Sequence, residues 1–376
     1  MNIILTTGIL LIVLSFIFQK NKKISPYWGF LLVFLIMGFQ SGVEGDFMNY
    51  MHQYEAVAKG GSYDSVTSAN DTVWIFLYII FGKIFPFWAF IIVLAGFECK
   101  ILYELGSRYG SKQYGWVGPI LFFFTFYLML IEMKALRQGL AVEITVLAYL
   151  MTTQKKGVLW SAALMIIATF VHHSSLLVVP FIVYQIIVSR NSGFDHDQET
   201  INAKHGMLFP IVMVVIYMIV YSAKSTSLGD TLTQLAMLGE AQNIQLSGYL
   251  ESEQEHAIEI SFLIVLYDAV LVFLCSWFYQ RTTQRNKVFA IASIIGCFGD
   301  MLFFGMGSLP RMMTYFYVYN IITYPLLAEM IAKKYGKTAA LVLIVFLVGY
   351  AMKTSLPMIT STERADFGTY RFVFMP

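Results

Sequence analysis

The stretch I-E-M-K-A-L-R-Q-G-L-A-V-E, Ile131 to Glu143, places Glu132, Lys134, Arg137 and Glu143 in a chain whose flanks are almost wholly apolar. An ionisable side chain at membrane depth costs roughly 2.5–3.5 kcal/mol on insertion scales, so each asks for a partner, a ligand or a water-filled cavity. On a helix Lys134, Arg137, Gln138 and Ala141 fall at i, i+3, i+4 and i+7, on one face, with small Ala141 leaving room beside the guanidinium. That face reads as an anion site. The competing reading is that Arg137 pairs with Glu132 or Glu143 and only holds helices together.

Three further groups have side chains suited to chemistry. In D-F-M-N-Y-M-H-Q-Y, Asp46, Tyr50 and Tyr54 recur every four residues and line one side of the segment if it is helical. A carboxylate accepts sugar hydroxyls and tyrosine rings stack on pyranose faces, so this stripe suits a sugar; the alternative is an interfacial aromatic belt. Arg311 follows Pro310 in S-L-P-R-M-M-T-Y-F. With Arg137 it supplies two guanidinium forks for a diphosphate, unless it snorkels to lipid headgroups. His172 and His173 point about 100° apart on a helix, so one of them can face a cavity as base or donor; adjacent histidines make a poor metal pair. Asp300 is a further intramembrane acid, with His173 and Tyr315 as supporting candidates.

The elements that position these groups follow from composition. Of 376 residues, 58% are hydrophobic, 16% aromatic and only 13% charged, far from the charged share of about 25% usual in soluble domains. Apolar runs of ~20 residues recur along the chain, which predicts an all-α polytopic membrane protein with about 12 transmembrane helices. The predicted spans are 3–19, 26–41, 87–105, 115–131, 136–152, 157–171, 174–189, 207–222, 259–279, 288–306, 312–332 and 338–353, with a short interfacial helix at 72–82. Most of the 25 basic residues then fall on the inner side; the positive-inside rule puts both termini, the 42–86 segment, the 223–257 loop and the 354–376 tail outside. The chain reads as one polytopic membrane domain. Tyr249 sits in the 223–257 loop as a sugar-binding candidate.

A net charge of +2 makes no case for nucleic acid. Cys99, Cys275 and Cys297 lie in or beside apolar segments without CxxC spacing and read as core residues, with neither disulfide framework nor metal site. Met1 to Phe18 lacks a basic n-region and an A-x-A site and reads as an uncleaved first helix. No internal repeat of the secondary-transporter kind is visible.

Through D-x-x-x-Y-x-x-x-Y at Asp46, K-A-L-R-Q-G-L-A at Lys134 to Ala141, F-V-H-H-S-S-L at Phe170 to Leu176 and R-M-M-T-Y-F at Arg311 to Phe316, the sequence resembles the EpsG family of bacterial exopolysaccharide polymerases, relatives of Wzy-type O-antigen and capsule polymerases. The resemblance implies a GT-C-like membrane glycosyltransferase, without cofactor or metal, that joins oligosaccharide repeat units carried on undecaprenyl diphosphate at the outer face of the cytoplasmic membrane. It implies Arg137 and Arg311 on the diphosphate, Lys134 and Gln138 in support, and Asp46 or His172 as the acceptor base, with His173 at a variable position. It also brings the pathway's flippase and chain-length regulator into view as partners. The rivals are a polysaccharide ligase with the same chemistry, a flippase using the same charges for binding alone, and a structural scaffold.

Overall fold

The computed structural model describes residues 3–21, 24–41, 46–60, 72–125, 133–152, 157–191, 207–223, 262–303, 309–360 and 370–373. The chain divides into two compact units: Met1–Asn191 together with Asn320–Pro376, and Ser192–Tyr319.

In the first unit the elements are α1 (Ile3–Phe18), α2 (Phe30–Gly38), β1 (Gln40–Ser41), α3 (Asp46–Ala58), α4 (Thr72–Gly82), α5 (Phe87–Tyr109), α6 (Val117–Phe124), α7 (Leu136–Thr152), α8 (Gly157–Val171), a 3-10 turn (His173–Val178), α9 (Val179–Asn191), α14 (Asn320–Tyr335), α15 (Lys337–Thr360) and β2 (Arg371–Phe372). α7 is the hub. Nearly all its residues are buried, as expected of a helix that is apolar all round, because α5, α8 and α9 all pack against it. Its polar residue Glu143 is fully enclosed, as are Glu98 on α5 and Gln185 on α9.

α5 starts after Pro86, which needs no N–H partner at a helix entrance, and stops at Gly110, whose N–H reaches Gly106 O at 2.8 Å. Side chains at Gly106, Gly110 or Gly115 would collide with the Tyr27 ring. These glycines form a slot that lets the start of α2 lie directly on the end of α5.

The sequence pattern carries no sign of the small clamp that holds the end of the chain. β2 pairs antiparallel with β1, with Gln40 opposite Phe372 and Ser41 opposite Arg371. The Tyr370 hydroxyl donates to Ile36 O at 2.8 Å from a buried position, and the Val373 N–H donates to Phe39 O at 2.9 Å. Residues 370–373 are thus bound to the end of α2, and α15 runs to Thr360, seven residues past its predicted end.

The second unit comprises α10 (Leu208–Ala223), α11 (Phe262–Arg281), α12 (Gln284–Phe303), a 3-10 turn (Leu309–Met313) and α13 (Thr314–Tyr317). α11 packs between α10 and α12. The predicted span 312–332 is not one helix: Arg311 falls in the 3-10 turn, α13 is a single turn, and α14 starts again at Asn320 in the other unit.

Three helices among the described residues are long and apolar enough to cross a membrane, Leu263–Arg281, Gln284–Phe303 and Lys337–Leu356; shorter apolar helices include Ile3–Phe18, Gly157–Val171 and Leu208–Ser222. Large apolar side chains such as Leu159, Trp160, Leu208 and Val342 face outward. Outward-facing apolar surface on this scale belongs in lipid, and the chain is an all-helical, multi-pass membrane protein.

Candidate functional site

The first-unit candidates gather where α3, α4, the start of α7 and the end of α8 meet. The segment 46–58 is helical, so Asp46, Tyr50 and Tyr54 do share a stripe. Asp46 opens α3, and its side chain lies outside the described residues.

The stripe is turned into the protein. Tyr54 is 1% exposed; its ring is packed by Tyr78, Phe87 and Phe90, and its hydroxyl donates to Phe85 O at 2.8 Å. Its faces are taken up by aromatic neighbours, so this placement makes it a core residue rather than the sugar platform that the sequence suggested. Tyr50, one turn earlier, sits at the edge of the same cluster. Its ring meets Trp74 edge-on at 5.6 Å, its carbonyl accepts the Tyr78 hydroxyl at 3.2 Å, and the Arg137 guanidinium lies 5.8 Å from its ring centre. That separation is within cation–π range.

Arg137 is in the first turn of α7, partly exposed, with Gln138 buried beside it. Ala135 is not helical, and its carbonyl accepts the Gly139 N–H at 3.0 Å. The helix therefore begins after Lys134, which precedes it instead of sharing its face, although Lys134 is itself buried. Ala141 is fully buried, so the space predicted beside the guanidinium is occupied by neighbouring helices. A cation in the first turn runs against the helix dipole, which favours negative charge there. The same arrangement adds the helix N-terminus to Arg137 and Lys134 as an anion-attracting group. Glu143, six residues along α7, leaves the helix about 240° round from Arg137.

His172 closes α8, its N–H donating to Ala168 O at 2.8 Å, and then takes an extended backbone (φ −156°, ψ 119°) before the 3-10 turn. This change of direction separates the two histidines. His172 is partly buried with Nδ1 hydrogen-bonded to the Ser174 hydroxyl, whereas His173 is exposed. Burial, and after it the charge of Arg137 and the neighbouring His173, push His172 down to about 4. The imidazole is therefore neutral at physiological pH, with Nε2 as the nitrogen not engaged by Ser174.

Arg311, Tyr315 and Asp300 belong to the second unit. Arg311 is partly exposed, and its carbonyl accepts the Thr314 hydroxyl at 2.6 Å, which fixes the turn into α13. Tyr315 is fully buried. Asp300 is on α12, which packs against that turn, the Met313 side chain filling the space over Gly299. Tyr249 lies outside the described residues. The three cysteines are buried and form no disulfide with one another.

Sequence reasoning overlooked three features. Trp74 and Tyr78, i and i+4 on α4, complete the aromatic cluster behind Tyr50. Ser174 orients His172 and was visible in H-H-S-S. Asp268, in the apolar run of α11, accepts the Tyr217 hydroxyl at 3.1 Å; one acid in L-I-V-L-Y-D-A-V was the available signal.

The fold defines an all-helical, multi-pass membrane protein in which a partly exposed arginine and a buried lysine at the start of α7 stand beside an aromatic cluster and a histidine. The EpsG family model matches residues 23–361, and the chain belongs to the EpsG family. No curated protein and no solved structure matches it. Membership gives the broad activity, a membrane glycosyltransferase-type polymerase of exopolysaccharide synthesis.

Proposed function

We propose that this protein polymerises lipid-linked oligosaccharide repeat units carried on undecaprenyl diphosphate, at the outer face of the cytoplasmic membrane. The observation that carries this reading is the joint placement of Arg137, buried Lys134 and neutral His172 around the start of α7, in a chain of the EpsG family. Guanidinium and ammonium groups at a helix N-terminus suit a diphosphate, and they act most strongly on the charge that grows as it leaves.

In the proposed reaction the terminal sugar hydroxyl of one repeat unit attacks the anomeric carbon of another chain. The new glycosidic C–O bond forms as the bond to diphosphate oxygen breaks, and undecaprenyl diphosphate departs with its electron pair. Asp46 or His172 takes the hydroxyl proton; Asp300 is the remaining acid candidate. Arg137 and Lys134 take the diphosphate charge with Gln138 beside them, Arg311 is the diphosphate-binding candidate of the second unit, and no metal is required. Tyr50 and Tyr249 contact sugar. Tyr315 and His173 are the supporting candidates of their own units.

The test uses the purified full chain in liposomes with a single lipid-linked repeat unit. A ladder of longer lipid-linked chains with release of undecaprenyl diphosphate, resistant to EDTA and abolished by Arg137→Ala, is the expected result. A product formed only when a second acceptor is supplied marks a ligase. Substrate moved across the bilayer with its mass unchanged marks a flippase, and either outcome overturns the proposal.

A further inference from the structure

At the far end of the first unit lies a cavity of about 1170 Å³ that the proposed chemistry does not use. α5 links the two ends: Phe90, in its first turn, stacks on Tyr54, and Tyr109, its last residue, packs on Tyr149. Its 23 residues span about 34 Å at 1.5 Å per residue.

The cavity opens between the end of α1, the start of α2, the end of α5 and the start of α15, and Lys20, Lys112 and Lys337 line it. Around it, Glu104 pairs with Lys100 at 2.7 Å and with Arg108 at 3.2 Å, and Glu329, which accepts the hydroxyl of the lining Ser111 at 2.6 Å, pairs with Lys333 at 3.0 Å. Among the described residues the three cavity lysines have no acidic partner. Deeper in, Tyr27 and Trp116 line the cavity, 1% and 7% exposed. The Trp116 indole N–H is buried and makes no hydrogen bond among the described residues, while the Tyr27 hydroxyl meets the Ser111 backbone. A buried donor without a partner is costly, and a polar ligand would satisfy it. The remaining wall is apolar: Phe16, Leu341 and Ile344 lead outward along α1 and α15.

We infer that this cavity binds the phosphate headgroup of an anionic membrane phospholipid. The lysines hold the phosphate charge, Trp116 donates to its oxygens or to the glycerol, and an acyl chain leaves along Phe16, Leu341 and Ile344. The volume exceeds the roughly 300–1,000 Å³ of ordinary small-molecule pockets, which suits a headgroup with part of its chains. Basic pockets between membrane helices bind anionic headgroups in this manner, each lysine contributing about 1 kcal/mol, or about fivefold in affinity. Unlike the catalytic site, this pocket takes a lipid that is not consumed.

The experiment measures lipid retention by native mass spectrometry and thermal stabilisation of the full chain in detergent, with added cardiolipin, phosphatidylglycerol or phosphatidylcholine. Neither readout depends on polymerase activity, so failure here leaves the catalytic proposal standing and failure there leaves this one. The triple variant Lys20→Ala, Lys112→Ala, Lys337→Ala changes exposed side chains and should fold. It should lose roughly a hundredfold in affinity for the anionic lipids. The control Lys59→Ala, Lys83→Ala, Lys353→Ala removes the same charge elsewhere and should bind as the parent does, and arginine at the three cavity positions should restore binding. Equal stabilisation by phosphatidylcholine, equal loss in the control, or full replacement of the lipid effect by inorganic phosphate or pyrophosphate overturns the inference.

Discussion

The Arg137 guanidinium stands 5.8 Å from the centre of the Tyr50 ring, and this sets a cation of the first turn of α7 against the aromatic cluster of α3 and α4. The ring's electron-rich face holds the cation without itself carrying a neutralising charge. Tyr50→Phe should therefore retain most activity. Tyr50→Leu should weaken substrate binding by roughly three- to tenfold, in line with about 1 kcal/mol for such a contact, read as a rise in KM for the lipid-linked substrate. Equal activity in Phe and Leu variants would remove the ring from the site.

Conservative change at the arginines should not be tolerated. Arg137→Lys and Arg311→Lys each keep the charge and lose the planar fork, so each should lose most polymer synthesis while the protein remains inserted and folded by gel filtration in detergent. Near-normal polymer from both would make them structural cations.

His172 offers a pH test. Its ordinary value is about 6.5, and in the folded chain it lies at about 4, so between those values the unfolded chain binds more protons. Stability should fall as pH is lowered through that window and stay independent of this group above it. Thermal unfolding at pH 7 and pH 5 should show a smaller difference in His172→Gln than in the parent, and an unchanged difference would contradict the buried neutral ring. Arg137→Gln removes a charge that holds the value down, so the His172 NMR titration should move upward.

For the proton acceptor, Asp46→Asn and His172→Ala should reduce the polymerisation rate far more than substrate binding, while exposed His173 tolerates alanine. General-base catalysis contributes typically 10²–10⁴-fold, so losses below about threefold in both variants would leave neither as the base.

Tyr54 should report on stability instead of on sugar. Loss of its hydrogen bond to Phe85 O in Tyr54→Phe should cost about 1 kcal/mol, and Tyr54→Ala, which empties a fully packed aromatic site, about 3–5 kcal/mol. A parent-like unfolding midpoint with an altered KM for Tyr54→Phe would return it to the binding site.

Composition and hydrophobic run length by themselves determined that this is a helical membrane protein, since no other secondary structure satisfies its backbone in lipid over such stretches. Short motifs with fixed spacing pointed to the family, because K-A-L-R-Q-G-L-A and its companions are read without reference to packing. Local turn chemistry was partly readable: Pro86 precedes α5 where the predicted span 87–105 starts, whereas the helix runs on to Tyr109 and stops at Gly110.

Tertiary structure decided what periodicity leaves open, namely which way a stripe faces. Tyr50 and Tyr54 are equivalent in the sequence pattern, yet Tyr54 is enclosed by Phe87 and Phe90, which arrive from α5, while Tyr50 meets Arg137 from α7. The two histidines separate because the backbone turns extended at His172. The break at Ala135 detaches Lys134 from the helix that carries Arg137. The pairing of Gln40–Ser41 with Arg371–Phe372 joins segments some 330 residues apart, and no local propensity of a two-residue strand encodes such a partner, because its stability comes from the helices that bring the two ends together.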